Sequence, residues 1–385
     1  MGKIELDHTG AGSGITLSSD GTDLLLDGTA IGGGGAALEL YAENPSSPTA
    51  PSATGTNAVA IGSGSTATNT DAFAIGRLTD ATGSGSVAIG YSVDATGLRS
   101  LAIGAGTDAT SSYASAIGTN SGNSGSQAVT GAGAMALGGS YASGSNSFAA
   151  AIANNTSSYG ATGANSVAMG SLAKATGQYG VALGYSATAG DAYAVALGNY
   201  AKASGYGSIA IGGAQAYDYT EALQSYSVAI GFRTKSDIFG KFAFANGRFS
   251  ANGDAQTGTF VLRSDTTDAT PEALTTDNNT SGTIGQIILP NNSAYAFHGT
   301  IVARQQASQG TACAAWKIEG LIRREGSAGT TVLVNSATTV LDNTPAWGMA
   351  LSADTTNGGL KIEVTGAAAT NIRWVATVHT SEVTY

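Results

Sequence analysis

The residue types best suited to chemistry are few and scattered. The three histidines, His8, His298 and His379, stand in no metal-ligand spacing with one another or with a cysteine. Neither a nucleophile elbow nor a Walker-type phosphate loop is present, and the run Gly32 to Gly35 reads as a flexible joint. The single cysteine, Cys313, is flanked by alanine and is expected to be a small buried filler; alone it excludes a disulfide within the chain. The 26 acidic residues offer many pairs for glycoside cleavage, but only distance would make one of them catalytic. The expectation is a protein that is not an enzyme and holds no cofactor.

Two recurring sets suit binding better. Asp80, Asp94 and Asp108 lie 14 residues apart. As calcium ligands they are weak candidates, because a hard cation takes six to eight oxygens and this column supplies few others. Lys174 and Lys202 take the same place further on, which favours a solvated ladder. The second set, five residues before a recurring glycine, is aromatic: Tyr113, Phe148, Tyr179, Tyr193 and Tyr226. Stacked rings on an exposed corner can pack against the C–H faces of sugars, or simply steady one another.

Both sets belong to a repeat. The tetrapeptide apolar-Ala-apolar-Gly recurs with its glycine at Gly62, Gly76, Gly90, Gly104 and Gly118, then at Gly138. After a degenerate copy, Ala150 to Ala153, it continues through Gly170, Gly184, Gly198, Gly212 and Gly231 to Phe242–Ala245, thirteen copies in all. Alternation with period two identifies a strand, and a weaker second strand, such as Asp94-Ala95-Thr96, lies half a period away. A helix is disfavoured, since each interior glycine costs roughly 1 kcal/mol relative to alanine. One rung cannot fold alone, so rungs must stack at about 4.8 Å into a rod about 60 Å long. The face lined by Ala and Gly leaves room for close approach, and is expected to be buried against other copies of the chain.

Asn165-Ser166-Val167-Ala168-Met169-Gly170, followed by Ser171, Ala173, Ala175 and Gly177, closely resembles the head repeat of trimeric autotransporter adhesins. The resemblance covers residues 57 to 250 and implies a left-handed parallel β-roll and a homotrimer. Spacing alone shows neither. The phrases SGITLSSDGTDLLLDG and GTFVLRSDTTDATPEALTTD resemble, more loosely, structural proteins of tailed bacteriophages.

The flanks set the organisation. Residues 1–56 read as a small β module with a proline-containing linker, suited to virion attachment. Residues 57–250 form the shaft, and residues 251–385 a C-terminal antiparallel β-sandwich or jelly roll serving as a receptor-binding head. All three Trp (Trp316, Trp347 and Trp374) fall in the last segment. Five Phe (Phe232, Phe239, Phe242, Phe244 and Phe249) cluster where the roll ends and are expected to cap it. An insertion after Gly212 gathers Tyr217, Asp218, Tyr219, Glu221 and Tyr226, a mix suited to glycan contact. Tyr217, Tyr219, Tyr226, Trp347 and Trp374 are the candidate receptor-binding residues, although each Trp sits within or beside an alternating strand, where core packing is the commoner use.

Composition narrows the class further. The chain of 385 residues is 42% apolar and only 11% charged, with a net charge of −10, which argues against disorder and against a nucleic-acid partner. No apolar leader and no apolar run of about 18 residues is seen, so membrane insertion is not expected. The reading is an all-β tail fibre or receptor-binding protein of a tailed phage, acting by multivalent adhesion to a host glycan or protein. It would assemble in the host cytoplasm, act extracellularly on the virion, and be attached through its N-terminus. The alternatives are a bacterial trimeric adhesin and a polysaccharide-degrading tail spike.

Overall fold

The computed structural model describes residues 49–119, 127–150, 159–213 and 218–385, and the backbone of four short strands before them. Those four, Ile4–Leu6, Ile15–Ser19, Leu24–Leu26 and Thr29–Ile31, pair in sequence order as an antiparallel meander. The described residues are all-β apart from one turn of 3-10 helix at Ala328–Thr330.

From Ser52 to Ala245 the chain is a parallel β-solenoid. Motif strands stack in register, Ala60 on Ala74 on Ala88 on Ala102 and onward to Ala229 on Ala243. The half-period strands do the same, Ala67 on Ala81 on Ala95 on Ala109. These two alanine columns face each other and are almost wholly buried, with Ala72, Ala114, Ala173, Ala187, Ala194 and Ala201 closing the interior. The two sheets thus approach as closely as methyl groups permit. This corrects the expected use of the Ala face. It is the inside of each rung, closed by the chain itself, while the large aliphatics of the motif point outward and remain partly exposed, as Val59, Met169, Ile211 and Phe244 show.

The motif glycines are fixed by backbone geometry. Gly90 has φ +137°, and a Cβ there would stand 1.7 Å from the carbonyl oxygen of Gly104. Gly62, Gly76, Gly104, Gly170 and Gly184 share the positive φ and the same conflict with the rung above. Only glycine permits that turn where strands stack at about 4.8 Å.

The degenerate copy is displaced from its expected place. Strand Phe148–Ala150 pairs Phe148 with Met135 and Val167, and Ala149 with Ala136 and Ala168. The copy therefore runs Phe148-Ala149-Ala150, starting two residues before the Ala150 read from the sequence, because the chain shortens before it and lengthens after it.

The end of the roll is closed by polar chemistry. Strand Ala255–Thr266 turns back and pairs antiparallel with the last motif strand, Phe242 opposite Thr259. The other sheet ends at Lys235–Ser236, where the Gln256 side chain accepts from Lys235 N–H at 3.0 Å and donates to its carbonyl at 2.9 Å. One primary amide thus supplies the bonds a further rung would make. The Asp254 carboxylate accepts from the N–H groups of Phe249, Ser250 and Ala251, whose bonds hold it below the usual carboxylate range against the opposing effect of burial. The clustered phenylalanines do not cap the roll: Phe242, Phe244 and Phe249 point into solvent.

Beyond the roll, two antiparallel sheets share one core. The larger has the order Ala255–Thr266, Ile372–Thr384, Ser293–Gln305, Cys313–Arg324, Val332–Asp342. The smaller centres on Gly359–Thr365, flanked by Gly348–Asp354 on one edge and by Glu272–Ala273 and Ile287–Ile288 on the other. Phe260, Leu262, Ile301, Trp316, Ile318, Leu360, Ile362 and Trp374 fill the space between them.

The two units are joined by a buried ion pair. Lys241 occupies the interior column held by Ser208 and Ser227 in earlier rungs, and its ammonium meets the Glu382 carboxylate at 2.7 Å, both side chains at 1% exposure or less. Thr380 and Gln256 donate to the same carboxylate, and the ammonium lies over the rings of Phe260 and Tyr295. Burial, with Glu382 beside it, raises the Tyr295 phenol well above its ordinary value.

Candidate functional site

Two aromatic rows, one at each corner of the motif sheet, are the most distinctive exposed chemistry of the rod. The corner before the motif strand is a left-handed turn in every described rung: Asn57, Asp71, Arg99, Tyr113, Asn146, Asn165, Tyr179, Tyr193 and Tyr226 all have φ between 52° and 61°. Asparagine tolerates that region, whereas a tyrosine there is strained by about 1–2 kcal/mol. Contact with neighbouring rings offsets the strain. Tyr179 stacks on Tyr193 with centroids 5.1 Å apart, and Tyr193, Tyr206, Tyr226 and Phe239 continue edge to face at 5.3 to 5.5 Å. Each such pair contributes about 0.5–1.5 kcal/mol.

Tyr206 and Phe239 escape the sequence column because they stand one residue earlier, where Gly207 and Gly240 take over the left-handed position. The Gly207 position is also crowded: a Cβ there would meet the Tyr226 ring at 3.1 Å. Phe148 does not belong to the row, because it lies in the motif strand, and Asn146 fills the corner of that rung. Tyr113 shares the corner conformation, several rungs from the continuous ladder.

The corner after the motif carries a second row, Tyr185, Tyr200 and Tyr219, edge to face at 5.3 and 5.7 Å, with the Lys202 ammonium over the Tyr219 ring at 5.6 Å. Arg77 covers Tyr91 similarly nearer the N-terminus. In both rows most rings meet edge to face, and Tyr179, Tyr185, Tyr193, Tyr206 and Tyr226 remain exposed. Asp218 ties the insertion to the rod through Arg233, at 2.9 Å, and Arg248. Tyr217 lies outside the described residues.

The aspartate ladder forms as the spacing predicts, Thr66, Asp80, Asp94 and Asp108 lying in register. It is less solvated than expected. Partial burial and then the Asp94 charge push the Asp108 carboxyl up to about 6, and burial and then Asp80 raise Asp94. Lys174 and Lys202 occupy the same column, and Lys202 pairs with Glu221 at 3.1 Å. Among the described residues no group of three or more His, Cys, Asp or Glu is arranged to hold a metal ion.

Trp347 and Trp374 are corrected as receptor candidates. Trp374 is fully buried, stacks on Trp316 at 5.8 Å and donates to Thr266 Oγ1 at 2.9 Å, while Trp347 packs beside it at 5.7 Å. Neither meets the solvent side of the sandwich. Cys313 is exposed, because it opens strand Cys313–Arg324 on the solvent-facing side of the larger sheet, and so is not a buried filler.

Strand pairing also unites what the sequence keeps apart. His298 and His379, 81 residues apart, are register partners with rings 5.3 Å apart. Antiparallel register is not readable from spacing, so this pair had no signal; His8 lies outside the described residues.

Comparison with known proteins agrees with the repeat. Residues 53–79, 95–121, 161–187 and 189–214 match the YadA head domain repeat, so the solenoid contains repeats of that type. No curated protein matches the chain. Among solved structures, a tailspike protein of Acinetobacter baumannii bacteriophage Fri1, described as a capsular polysaccharide depolymerase, is 9% identical with a TM-score of 0.21. The match covers 77% of this chain and 57% of that one. The tailspike protein of Acinetobacter phage vB_ApiP_P1 is 11% identical with a TM-score of 0.22, over 84% of this chain and 61% of that one. The chain thus spans about three-fifths of each, and scores this low carry no activity across.

Proposed function

We propose that the chain is a non-enzymatic adhesion protein of a tailed bacteriophage, a tail fibre or receptor-binding protein that works as a homotrimeric rod. The observation that carries this reading is the outward row of motif aliphatics. Val87 and Ile89, and their equivalents on each rung, are only half-buried within the chain and form an apolar stripe along the solenoid. Covering it would contribute roughly 1–2 kcal/mol per rung. A surface that repeats at every rung stays in register over thirteen motif strands only with a partner of the same axial repeat, which a second copy supplies. The three-fold count is supported by the resemblance of the repeats to trimeric adhesin heads. Strand Val332–Asp342, an edge strand with Val334, Val340 and Leu341 exposed, suits the same assembly in the sandwich.

In this reading residues 1–56 attach to the virion, residues 57–250 are the shaft, and the host-facing surface combines the two tyrosine rows, at Tyr219 and at Tyr226, with the exterior of residues 251–385. Three copies of a weak site on one rod gain avidity without a new contact. Light scattering of the full chain and binding to candidate host cells test both parts together. A trimer that binds cells, and loses binding in Tyr219→Ala/Tyr226→Ala, supports the proposal. A stable monomer refutes the shared stripe, and release of oligosaccharide from host glycan refutes the non-enzymatic reading.

A further inference from the structure

On the solvent face of the larger sheet, one cross-strand row reads Thr259, His379, His298, Glu319. The two imidazoles are exposed and lie with centroids 5.3 Å apart and planes inclined by 30°. They line an open cavity of about 450 Å³ with Thr300, Thr377, Lys317 and Glu319. His379 Nδ1 lies 3.1 Å from the Thr259 hydroxyl. In the tautomer that donates to that hydroxyl, Nε2 keeps a free lone pair, the arrangement that orients a histidine for a metal.

We propose that His298 and His379 together bind a borderline divalent transition-metal ion of the zinc or nickel class. Metric agreement supports this. With a metal–nitrogen bond of about 2.0–2.1 Å and roughly 1.1 Å from nitrogen to ring centre, two imidazoles at a tetrahedral angle have centroids about 5.2 Å apart. The rings stack with planes 30° apart, so chelation keeps this centroid separation and turns the two imidazoles about χ2 until both lone pairs meet the ion. Imidazole nitrogen selects zinc, nickel or copper over calcium and magnesium, which prefer oxygen. Among the described residues no third ligand completes a preformed set, so water fills the remaining positions. Glu319, across from His298 in the same row, lends negative charge, which the Lys317 ammonium in the same cavity partly opposes. The site is independent of the trimer and adhesion readings, since both ligands come from one chain.

The test is calorimetric titration of the untagged full-length protein with Zn²⁺, with Mg²⁺ and Ca²⁺ in parallel, and Co²⁺ absorption as a second readout. One Zn²⁺ per chain is expected, with affinity weakened about tenfold or more in His298→Gln and in His379→Gln, and about tenfold in Thr259→Val. His8→Gln leaves binding unchanged. All the substituted positions in the sheet face solvent, and if one variant fails to fold the other two still decide. Absence of zinc binding, equal binding of Mg²⁺, or zinc affinity untouched by these substitutions overturns the proposal.

Discussion

Replacing Lys241 by Met tests the junction between roll and sandwich. Methionine keeps most of the unbranched stem inside the last rung but removes the ammonium that Glu382 meets at 2.7 Å in a fully buried site. Removing one partner of such a pair destabilises by about 3–5 kcal/mol, because the surviving charge stays buried without its counterion. Here the low end applies: Thr380 and Gln256 still donate to the carboxylate, which softens the loss. The two contacts of the ammonium with the Phe260 and Tyr295 rings add to it. A net cost of about 3 kcal/mol lowers the melting temperature by roughly 10 °C for a unit of this size. Tryptophan fluorescence reports it directly, since Trp316, Trp347 and Trp374 all lie in the sandwich core. Comparison at equal protein concentration removes the effect of assembly. The double variant Lys241→Met/Glu382→Leu should regain much of the loss, because no charge is then left unpaired. A single variant that melts within about 2 °C of the parent, or a double variant in which the two losses simply add, refutes the account.

Further outcomes follow from the rod. Gly90→Ala should prevent folding or lower the roll's unfolding midpoint sharply, since its Cβ would stand 1.7 Å from the Gly104 carbonyl oxygen at φ +137°; circular dichroism melts decide this. Deleting residues 77–90, one full period, should leave a folded rod shorter by about 5 Å, whereas deleting seven residues there should not, as scattering and thermal melts can show. Tyr206→Ala should cost about 1–3 kcal/mol through two lost ring contacts, and Tyr193→Asn less, because asparagine relieves a left-handed tyrosine; urea unfolding compares them. Asp108, raised to about 6 in the folded chain, holds its proton more tightly there than when unfolded. Its contribution to stability is thus present at low pH and lost as pH rises from about 4 through 6, and Asp108→Asn should flatten that part of a stability–pH profile.

The repeat was legible because each rung imposes the same constraints. Glycine at a positive φ and alanine at an interior contact return with every turn, so the period, the strand pairs and the two columns at Asp94 and Tyr193 stand out in the sequence. Which face is inside did not follow from hydrophobicity. Large aliphatics ordinarily seek the core, but a rung this narrow admits only methyl groups, and the bulkier side chains go out. One signal was available: Ala81, Ala95 and Ala175 in the second strand mirror Ala74, Ala88 and Ala168 in the first, as two facing columns must. The unbroken tyrosine ladder was obscured by a one-residue exchange with Gly207 and Gly240, and the position of Phe148 by unequal spacings on either side. In the last third of the chain the alternation of strands could be read, but not their order. That order buries Trp374 and brings His298 beside His379.

A stack of parallel strands is, at its end, a template that any similar stack can extend, and rods built this way risk joining tip to tip into filaments. Here the C-terminal tip offers no such template. One of its sheets passes into an antiparallel strand of different register, and the other ends on the amide of Gln256, which occupies both backbone groups of Lys235. The solenoid therefore has a direction: whatever covers its sides, at this end its sheets cannot grow.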